Sequence, residues 1–270
     1  MKREAIIKSL EQTKAELTKT NTLTRNGVAA ITDALCYIVE DLITGEADQT
    51  EEEPEAKEIL LRRSFAELTK IEDITEALAA GDIHDLLAAG DQIITNHKEL
   101  GKVVFDVLDF DRETTVETTK HNMTLQMHSL LLPAMPFEED DDKELCNRWE
   151  DSSLRAYLNS DEFIDGFAPE FRHLIAETWK KNDDREYTKD KFFLLSREEM
   201  ETEGEQYELY KINPGTMCKQ AADGKSYSHW TRSAHRINGC YTWYVYTSGN
   251  VNYDNAYYAT RCAPACVIAR

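Results

Sequence analysis

The side chains best suited to chemistry crowd the C-terminal end of the chain. Tyr241, Trp243, Tyr244, Tyr246, Asn250, Asn252, Tyr253, Asn255, Tyr257 and Tyr258 are interleaved with small polar residues, and half of the chain's 12 tyrosines lie among them. A buried core rarely uses that mixture, because each phenol needs a polar partner once water is excluded. Recognition surfaces use it often. Tyr and Trp give wide contact area at low entropic cost, and Ser, Gly and Asn give adaptable hydrogen bonds. The chemistry expected here is noncovalent binding by an exposed face.

Covalent and metal chemistry find less support. Cys262 and Cys266 are the best thiol pair among six cysteines. A spacing of four on a strand nevertheless parts them by more than about 10 Å, at roughly 3.3 Å per residue, and Cys266 reads as a small buried hydrophobe. The seven histidines form no triad-like set with Ser or Cys, and carboxylates are too abundant for any pair to stand out. Neither Cys-x-x-Cys nor His-x-x-x-His occurs, so structural zinc is not expected. The acidic run at 138–142 lacks the alternate spacing and glycine of a calcium loop and reads as a solvated loop. The expectation is no catalytic residue, no metal and no cofactor.

A chain of 270 residues accommodates one large domain or two smaller ones. Its net charge of −20 argues against nucleic acid, whose phosphates call for clustered Lys and Arg, and against anionic membrane surfaces. Solubility is the simpler reading of that charge. The segment after Met1 becomes charged again before an apolar stretch develops, unlike a signal peptide. No window is apolar for long enough to span a bilayer, so no membrane insertion is expected. Reduced thiols are expected in a chain made in the cytosol.

The elements that must position the C-terminal residues divide near position 80. Ile7, Leu10, Leu17, Val28, Ile31, Leu35, Ile38 and Leu42 share one heptad register, with Lys14, Asn21, Thr24 and Gly27 as its weak points. A continuous coiled coil fits if those positions are tolerated. Two shorter helices parted near 20–27 fit equally, because Thr and Asn favour caps and turns. The apolar stripe serves either an oligomerising stalk or a helix packed on its own domain. An acidic linker follows at 45–55, then a second amphipathic helix at 55–71 and a partly helical stretch at 74–89 interrupted by Gly81. Residues 1–80 are thus a helical oligomerisation or docking region, and 81–270 a second domain.

Strand signals dominate the second domain. Ile93-Ile94 and residues 103–108 are β-branched runs bounded by Gly101 and Asp109, and residues 123–128 alternate with period 2. Asp151 or Ser152 caps a helix whose Leu154, Tyr157 and Leu158 face the core. Pro169 opens another carrying Phe171, Leu174, Ile175 and Trp179; Trp149 and Trp179 are assigned to the core. Residues 192–196 form an apolar strand ending at Ser196, with Glu199 in capping-box position. Residues 241–246 and the region around Val251 make a hairpin turning at Ser248-Gly249-Asn250. Residues 262–268 are the last strand.

In order and spacing several motifs resemble a C-type-lectin-like domain family common in phages and prophages of gut Firmicutes. They are Ala88-Ala89-Gly90-Asp91-Gln92-Ile93, Leu100-Gly101-Lys102-Val103-Val104-Phe105-Asp106-Val107 and Met123-Thr124-Leu125-Gln126-Met127. They continue with Trp149-Glu150-Asp151-Ser152-Ser153-Leu154-Arg155-Ala156-Tyr157-Leu158-Asn159 and Asp190-Lys191-Phe192-Phe193-Leu194-Leu195-Ser196. Trp230-Thr231-Arg232-Ser233, the Gly249 turn and Ala263-Pro264-Ala265-Cys266 close the series. The resemblance covers roughly the last two-thirds of the chain. It implies an α+β fold: an N-terminal helical region followed by a C-type-lectin-like domain of small antiparallel sheets flanked by two helices. Arg261-Cys262 departs from the Gly-Val or Gly-Phe-Arg that relatives often place before Ala-Pro, which puts the local turn in question.

Two related groups share that fold: variable proteins of diversity-generating retroelements, including phage tropism determinants, and formylglycine-generating oxidases with a catalytic cysteine pair. The Asn-, Tyr-, Ser-, Thr- and Asp-rich ending is more similar to the first. That resemblance implies a framework of Trp230, Arg232, Gly249, Pro264 and Cys266. It implies contact residues His235, Arg236, Asn238, Tyr241, Trp243, Tyr244, Asn252, Tyr253, Asn255, Tyr257 and Tyr258. Trp230 and Arg232 are expected to be structural, with the guanidinium on loop carbonyls. Side chains alternate on a strand, so Tyr241, Trp243 and Val245 share one face and Thr242, Tyr244 and Tyr246 the other. Val245 marks the first face as partly buried, and about half of the contact set is expected in the core.

The resemblance makes the chain a ligand- or receptor-binding protein of a phage or prophage particle. Its partner would be a host surface protein or glycan, and it would be a homo-oligomer through its N-terminal helices. It would be made in the bacterial cytoplasm without a signal peptide and be virion-associated. The alternatives are an oxidase of the formylglycine-generating kind and a structural virion protein without ligand.

Overall fold

The computed structural model describes residues 70–183 and 187–270. The heptad region, the acidic linker and nearly all of the expected 55–71 helix lie outside the described residues. In chain order the elements are α1 (Ile71–Ala80), α2 (Ile83–Leu86), β1 (Gln92–His97), β2 (Gly101–Phe110), β3 (Asn122–Met127), β4 (Ser129–Leu130), α3 (Ser153–Leu158), α4 (Asp161–Ile164), α5 (Pro169–Arg172), β5 (Ile175–Ala176), β6 (Thr178–Lys180), β7 (Thr188–Asp190), β8 (Phe192–Phe193), α6 (Arg197–Glu201), α7 (Glu208–Ile212), β9 (Gln220–Ala221), β10 (His229–Ala234), β11 (Tyr241–Val245), β12 (Val251–Asn255) and β13 (Ala265–Ala269).

The architecture is mixed α and β, with antiparallel sheets and short helices. The largest sheet runs β1-β2-β3-β13-β5, with β8 also paired to β13. The last strand therefore lies inside the sheet, between β3 on one side and β5 and β8 on the other. All five residues of β13 are buried, which suits a strand of small and β-branched apolar side chains covered on both faces. β3 is also buried throughout. Its Gln126 is satisfied there, accepting from the Tyr210 hydroxyl at 2.5 Å and donating to the Ala263 carbonyl at 3.2 Å. β10, β11 and β12 form a separate three-stranded sheet; β6 pairs with β7, and β4 with β9 in parallel. Among the described residues no helix is long and apolar enough to cross a membrane.

Local sequence chemistry sets many element ends. α1 stops where Gly81 adopts φ 87 and donates its N–H to the Ala77 carbonyl, a left-handed cap that only glycine adopts without strain. Ile74 and Leu78 of α1 join the same hydrophobic core as the sheet residues, so this helix, on the helical side of a boundary at 80, packs with the strands. Ser152 caps α3 by accepting from the Arg155 N–H. At α6 both bonds of the capping box are present between Ser196 and Glu199.

Several expectations are overturned. The helix opened by Pro169 ends at Arg172, and Ile175 belongs to β5, opposite Ile268 of β13. Sheet pairing there outweighs the helical spacing of the apolar residues. Trp179 lies on β6 and is 37% exposed, under the Lys189 ammonium at 4.7 Å, so it is not a core residue. Tyr157 is 39% exposed and packs on Phe163 at the margin of the aromatic core. The apolar run 192–196 is strand only at Phe192–Phe193. In the acidic run Asp140, Asp141 and Asp142 are exposed. Glu138 is instead buried, held by Lys143 at 2.8 Å and the Ser153 hydroxyl at 2.7 Å. The last strand begins at Ala265, so Cys262 precedes it.

Buried charge is concentrated in networks. On β2, Asp106 pairs with His128 at 2.8 Å and Lys219 at 3.0 Å and accepts from Gln92 at 3.0 Å. Burial alone would raise its carboxyl pKa, but the His128 hydrogen bond and the Lys219 charge outweigh that and hold it at about 2. A carboxyl whose folded pKa lies below its unfolded value of about 3.9 contributes stability above that value and loses it as pH falls through the folded one. From this group the unfolding free energy is expected to fall by about 2 kcal/mol between pH 5 and pH 2. Asp106→Asn should be about 3–5 kcal/mol less stable at pH 7, because Lys219 stays buried without its counter-charge. In urea titrations the gap between wild type and variant should narrow on acidification. A gap constant from pH 7 to pH 2 contradicts the assignment.

Candidate binding face

The C-terminal sheet is built outward from β10, whose six residues are all buried. Trp230 donates its indole N–H to the Met135 carbonyl at 3.2 Å and meets Phe137 and Tyr244 edge-on. The register between β10 and β11 shifts between Trp230 and Ala234. Within that bulge the Arg232 N–H bonds to the Leu195 carbonyl at 3.0 Å instead of to β11. A bulge re-aims the side chain it carries, and Arg232 reaches the Leu194 carbonyl at 2.8 Å and both carboxylate oxygens of Glu199 at 2.5 and 2.7 Å. Trp230 and Arg232 both make internal contacts, with a carboxylate as the main partner of the guanidinium. Pro264 and Cys266 are buried as well.

β11 and β12 form the expected hairpin, with Trp243 opposite Tyr253 and Tyr244 opposite Asn252. Its turn needs Gly249 at φ 86, where an added Cβ would also lie 3.1 Å from the Cys218 sulfur. On the core side Thr242 is buried and Tyr244 packs on Trp230. On the other side Tyr241, Trp243 and Tyr253 meet the His235 ring. Tyr241 stacks on Tyr253 at 5.6 Å, Trp243 meets Tyr253 edge-on at 5.3 Å, and His235 lies 4.3 Å from Tyr253. The Arg197 guanidinium sits 4.3 Å over the Trp243 ring, a cation–π contact of about 0.5–1 kcal/mol at an exposed site.

None of the expected contact residues is fully buried, although Tyr244 packs against the core. Arg236, Asn238, Asn252, Tyr253, Tyr257 and Tyr258 are exposed; His235, Tyr241, Trp243, Tyr244 and Asn255 are partly buried. The expectation that half of them lie in the core is overturned. Val245 is fully buried, but its burial does not extend along that face to Trp243 or Tyr241. The structure joins four of the eleven in one ring cluster: His235, Tyr241, Trp243 and Tyr253. Tyr257 and Tyr258 form a second pair, edge to face at 5.2 Å. Arg236 instead borders a cleft of about 300 Å³ with Arg112, Trp179, Tyr187 and Glu198.

The loop between β10 and β11 is set by a residue that no local signal marks. Asn147 is buried, and its side-chain amide donates to the carbonyls of His235, Asn238 and Tyr241 at 3.1, 3.0 and 2.8 Å. Its own N–H donates to the Gly239 carbonyl at 3.0 Å. Gly239 packs closely beside it, and an added Cβ would fall 2.4 Å from a Leu145 methyl, which would have to move. Asn238 spends its side-chain oxygen on the Cys240 N–H at 2.9 Å. Arg197 carries no local signal either, because its contact with Trp243 joins distant segments.

Cys262 and Cys266 do not lie at the surface. Both residues are fully buried, and burial pushes the Cys262 thiol up to about 12 and that of Cys266 higher still. A protonated, enclosed thiol is a poor nucleophile and metal ligand. The close thiol contact in the described residues joins Cys146 to Cys240 instead, at 3.2 Å. What the C-terminal sheet offers chemically is therefore a platform of ring faces, phenols and amides.

Asn147→Ala removes two N–H donors shared among three carbonyls, at about 0.5–1.5 kcal/mol per hydrogen bond, and should cost about 1–3 kcal/mol in urea unfolding. Amide hydrogen exchange at Cys240 and Tyr241 should accelerate. Unchanged exchange there would show that the loop is held by other contacts.

Two comparisons with known proteins, one with curated proteins and one with solved structures, find no match for the chain. Residues 122–270, from the start of β3 to the C-terminus, match a family described as Domain of unknown function (DUF6273). The matched span carries the whole candidate face and its frame, while β1 and β2 complete the large sheet from outside it. With more than half of its length matched, the chain belongs to the Domain of unknown function (DUF6273) family.

Proposed function

We propose that this chain is a ligand-binding protein of a phage or prophage particle, with a C-type-lectin-like domain presenting its C-terminal face to a host surface protein or glycan. One observation carries the reading: none of the eleven contact residues is fully buried, and four of their rings form one cluster on the side of the sheet opposite Trp230 and Tyr244. Aromatic anchors flanked by adaptable polar groups are the usual makings of a paratope. The mixed fold of antiparallel sheets, with the last strand inside the largest one, is compatible with the lectin-like expectation. An outward face carried by a buried frame also suits retroelement diversification, since its side chains can change while the backbone bonds stay. Oligomerisation through the N-terminal helices would add avidity to weak single sites. The oxidase alternative loses support because Cys262 and Cys266 are enclosed.

The test is a titration of fluorescently labelled protein on intact gut Firmicutes cells. Trp243→Ala/Tyr253→Ala and Tyr257→Ala/Tyr258→Ala variants should keep the wild-type circular dichroism and melt within about 2 °C of it. Loss of hot-spot aromatics, worth at least about 2 kcal/mol, should weaken binding about thirtyfold. Protease treatment of the cells removes a protein receptor, and periodate treatment a glycan. Equal binding by wild type and both variants would remove this face from the reading. Rings that prove buried between subunits of the particle would favour a structural virion role.

A further inference from the structure

Cys146 and Cys240 stand 94 residues apart in sequence, yet their sulfurs are 3.2 Å apart. A disulfide bond is about 2.05 Å long, so closure needs a shift of roughly 1 Å. The two thiols differ in access. Cys146 is fully buried and donates to the Lys143 carbonyl at 3.0 Å. Cys240 is partly exposed, with its sulfur 4.0 Å from the Lys143 carbonyl and 3.9 Å from that of Glu144. The backbone holds both segments in register beside the pair, because the Asn147 N–H bonds to Gly239 and Gly239 lies against Leu145. The pairing is therefore imposed by the fold on both sides of the sulfurs.

We infer that Cys146 and Cys240 are a modification site, closing to a reversible intrachain disulfide by exchange with a low-molecular-weight disulfide such as oxidised glutathione. In the first step the Cys240 thiolate attacks one glutathione sulfur. The glutathione S–S bond breaks, a mixed disulfide forms on Cys240, and one glutathione leaves as thiolate and takes a proton. In the second step Cys146 loses its proton to solvent and attacks the Cys240 sulfur, expelling the second glutathione. Two protein thiols lose two electrons and two protons, and one oxidised glutathione becomes two reduced ones. Burial and the neighbouring Cys240 push the Cys146 thiol up to about 12, so its small thiolate fraction slows the second attack at neutral pH. The crosslink ties the loop carrying His235 and Tyr241 to the 138–147 segment. It stands whether or not the aromatic face binds a ligand.

The full chain is incubated in glutathione buffers of increasing oxidised fraction, quenched with iodoacetamide, digested without reduction and mapped by mass spectrometry. The expected product is about 2 Da lighter, contains a peptide pair linked through Cys146 and Cys240, and reverts with dithiothreitol. Closing so long a loop should raise Tm by at least about 5 °C. Cys240→Ser, at the partly exposed position, should keep the reduced protein's Tm and abolish both the linked pair and the rise. The inference is overturned if oxidised wild type carries only mixed disulfides, or if the linked pair joins other cysteines such as exposed Cys218.

Discussion

The buried pairing of Arg232 with Glu199 is the constraint on which the C-terminal half of the molecule depends. A guanidinium only 4% exposed is tolerable when its charge is answered, and Glu199 answers it with both oxygens. The same carboxylate takes Lys180 at 2.8 Å and the Ser196 N–H at 2.8 Å. Lys180 reaches on to Glu113, also at 2.8 Å, and Glu113 accepts from the Tyr207 hydroxyl. Three segments distant in sequence are thereby locked to β10. Such a network contributes little net stability beside an apolar replacement, but losing one partner leaves a buried charge unpaired at a cost of about 3–5 kcal/mol. Its effect is to specify where β10 lies, and β10 sets the position of the hairpin.

Frame and face are held by different forces. The frame relies on ladder hydrogen bonds, the Trp230 indole, the Arg232 network and the three carbonyl contacts of Asn147, all made by backbone or buried groups. The outward rings touch mainly one another and the Arg197 guanidinium. Substitutions at exposed positions away from buried networks usually change stability by no more than about 0.5 kcal/mol. The ring cluster is thus less tightly constrained than the frame. Dynamics follow the same division, since a loop clamped at three carbonyls holds His235 and Tyr241 in place.

Legibility in the sequence followed the range of the forces involved. The Ser196–Glu199 capping box, the Ser152 cap, the glycine stop at Gly81 and the Gly249 hairpin act within a few residues and could be read directly. Trp230 and Arg232 were recognisable as framework through a family resemblance. Long-range consequences were hidden. Trp179 looked like a helical core residue because its spacing from Phe171 suits a helix, but pairing of Ile175 with β13 ended that pattern. Strand alternation does not show how far the outward side of the hairpin is buried, because Val245 is buried while Trp243, on the same strand face, is not. Asn147, Arg197 and the Cys146–Cys240 contact each join segments dozens of residues apart, and nothing in their own neighbourhoods announces the partner.

The most direct measurement is saturation mutagenesis of the whole chain displayed on yeast, sorted for resistance to protease. Substitutions at His235, Arg236, Tyr241, Trp243, Tyr253, Tyr257 and Tyr258 should survive sorting, while those at Asn147, Glu199, Trp230 and Arg232 should be depleted. Depletion of the first set to the level of the second would contradict a rigid frame with an exchangeable face.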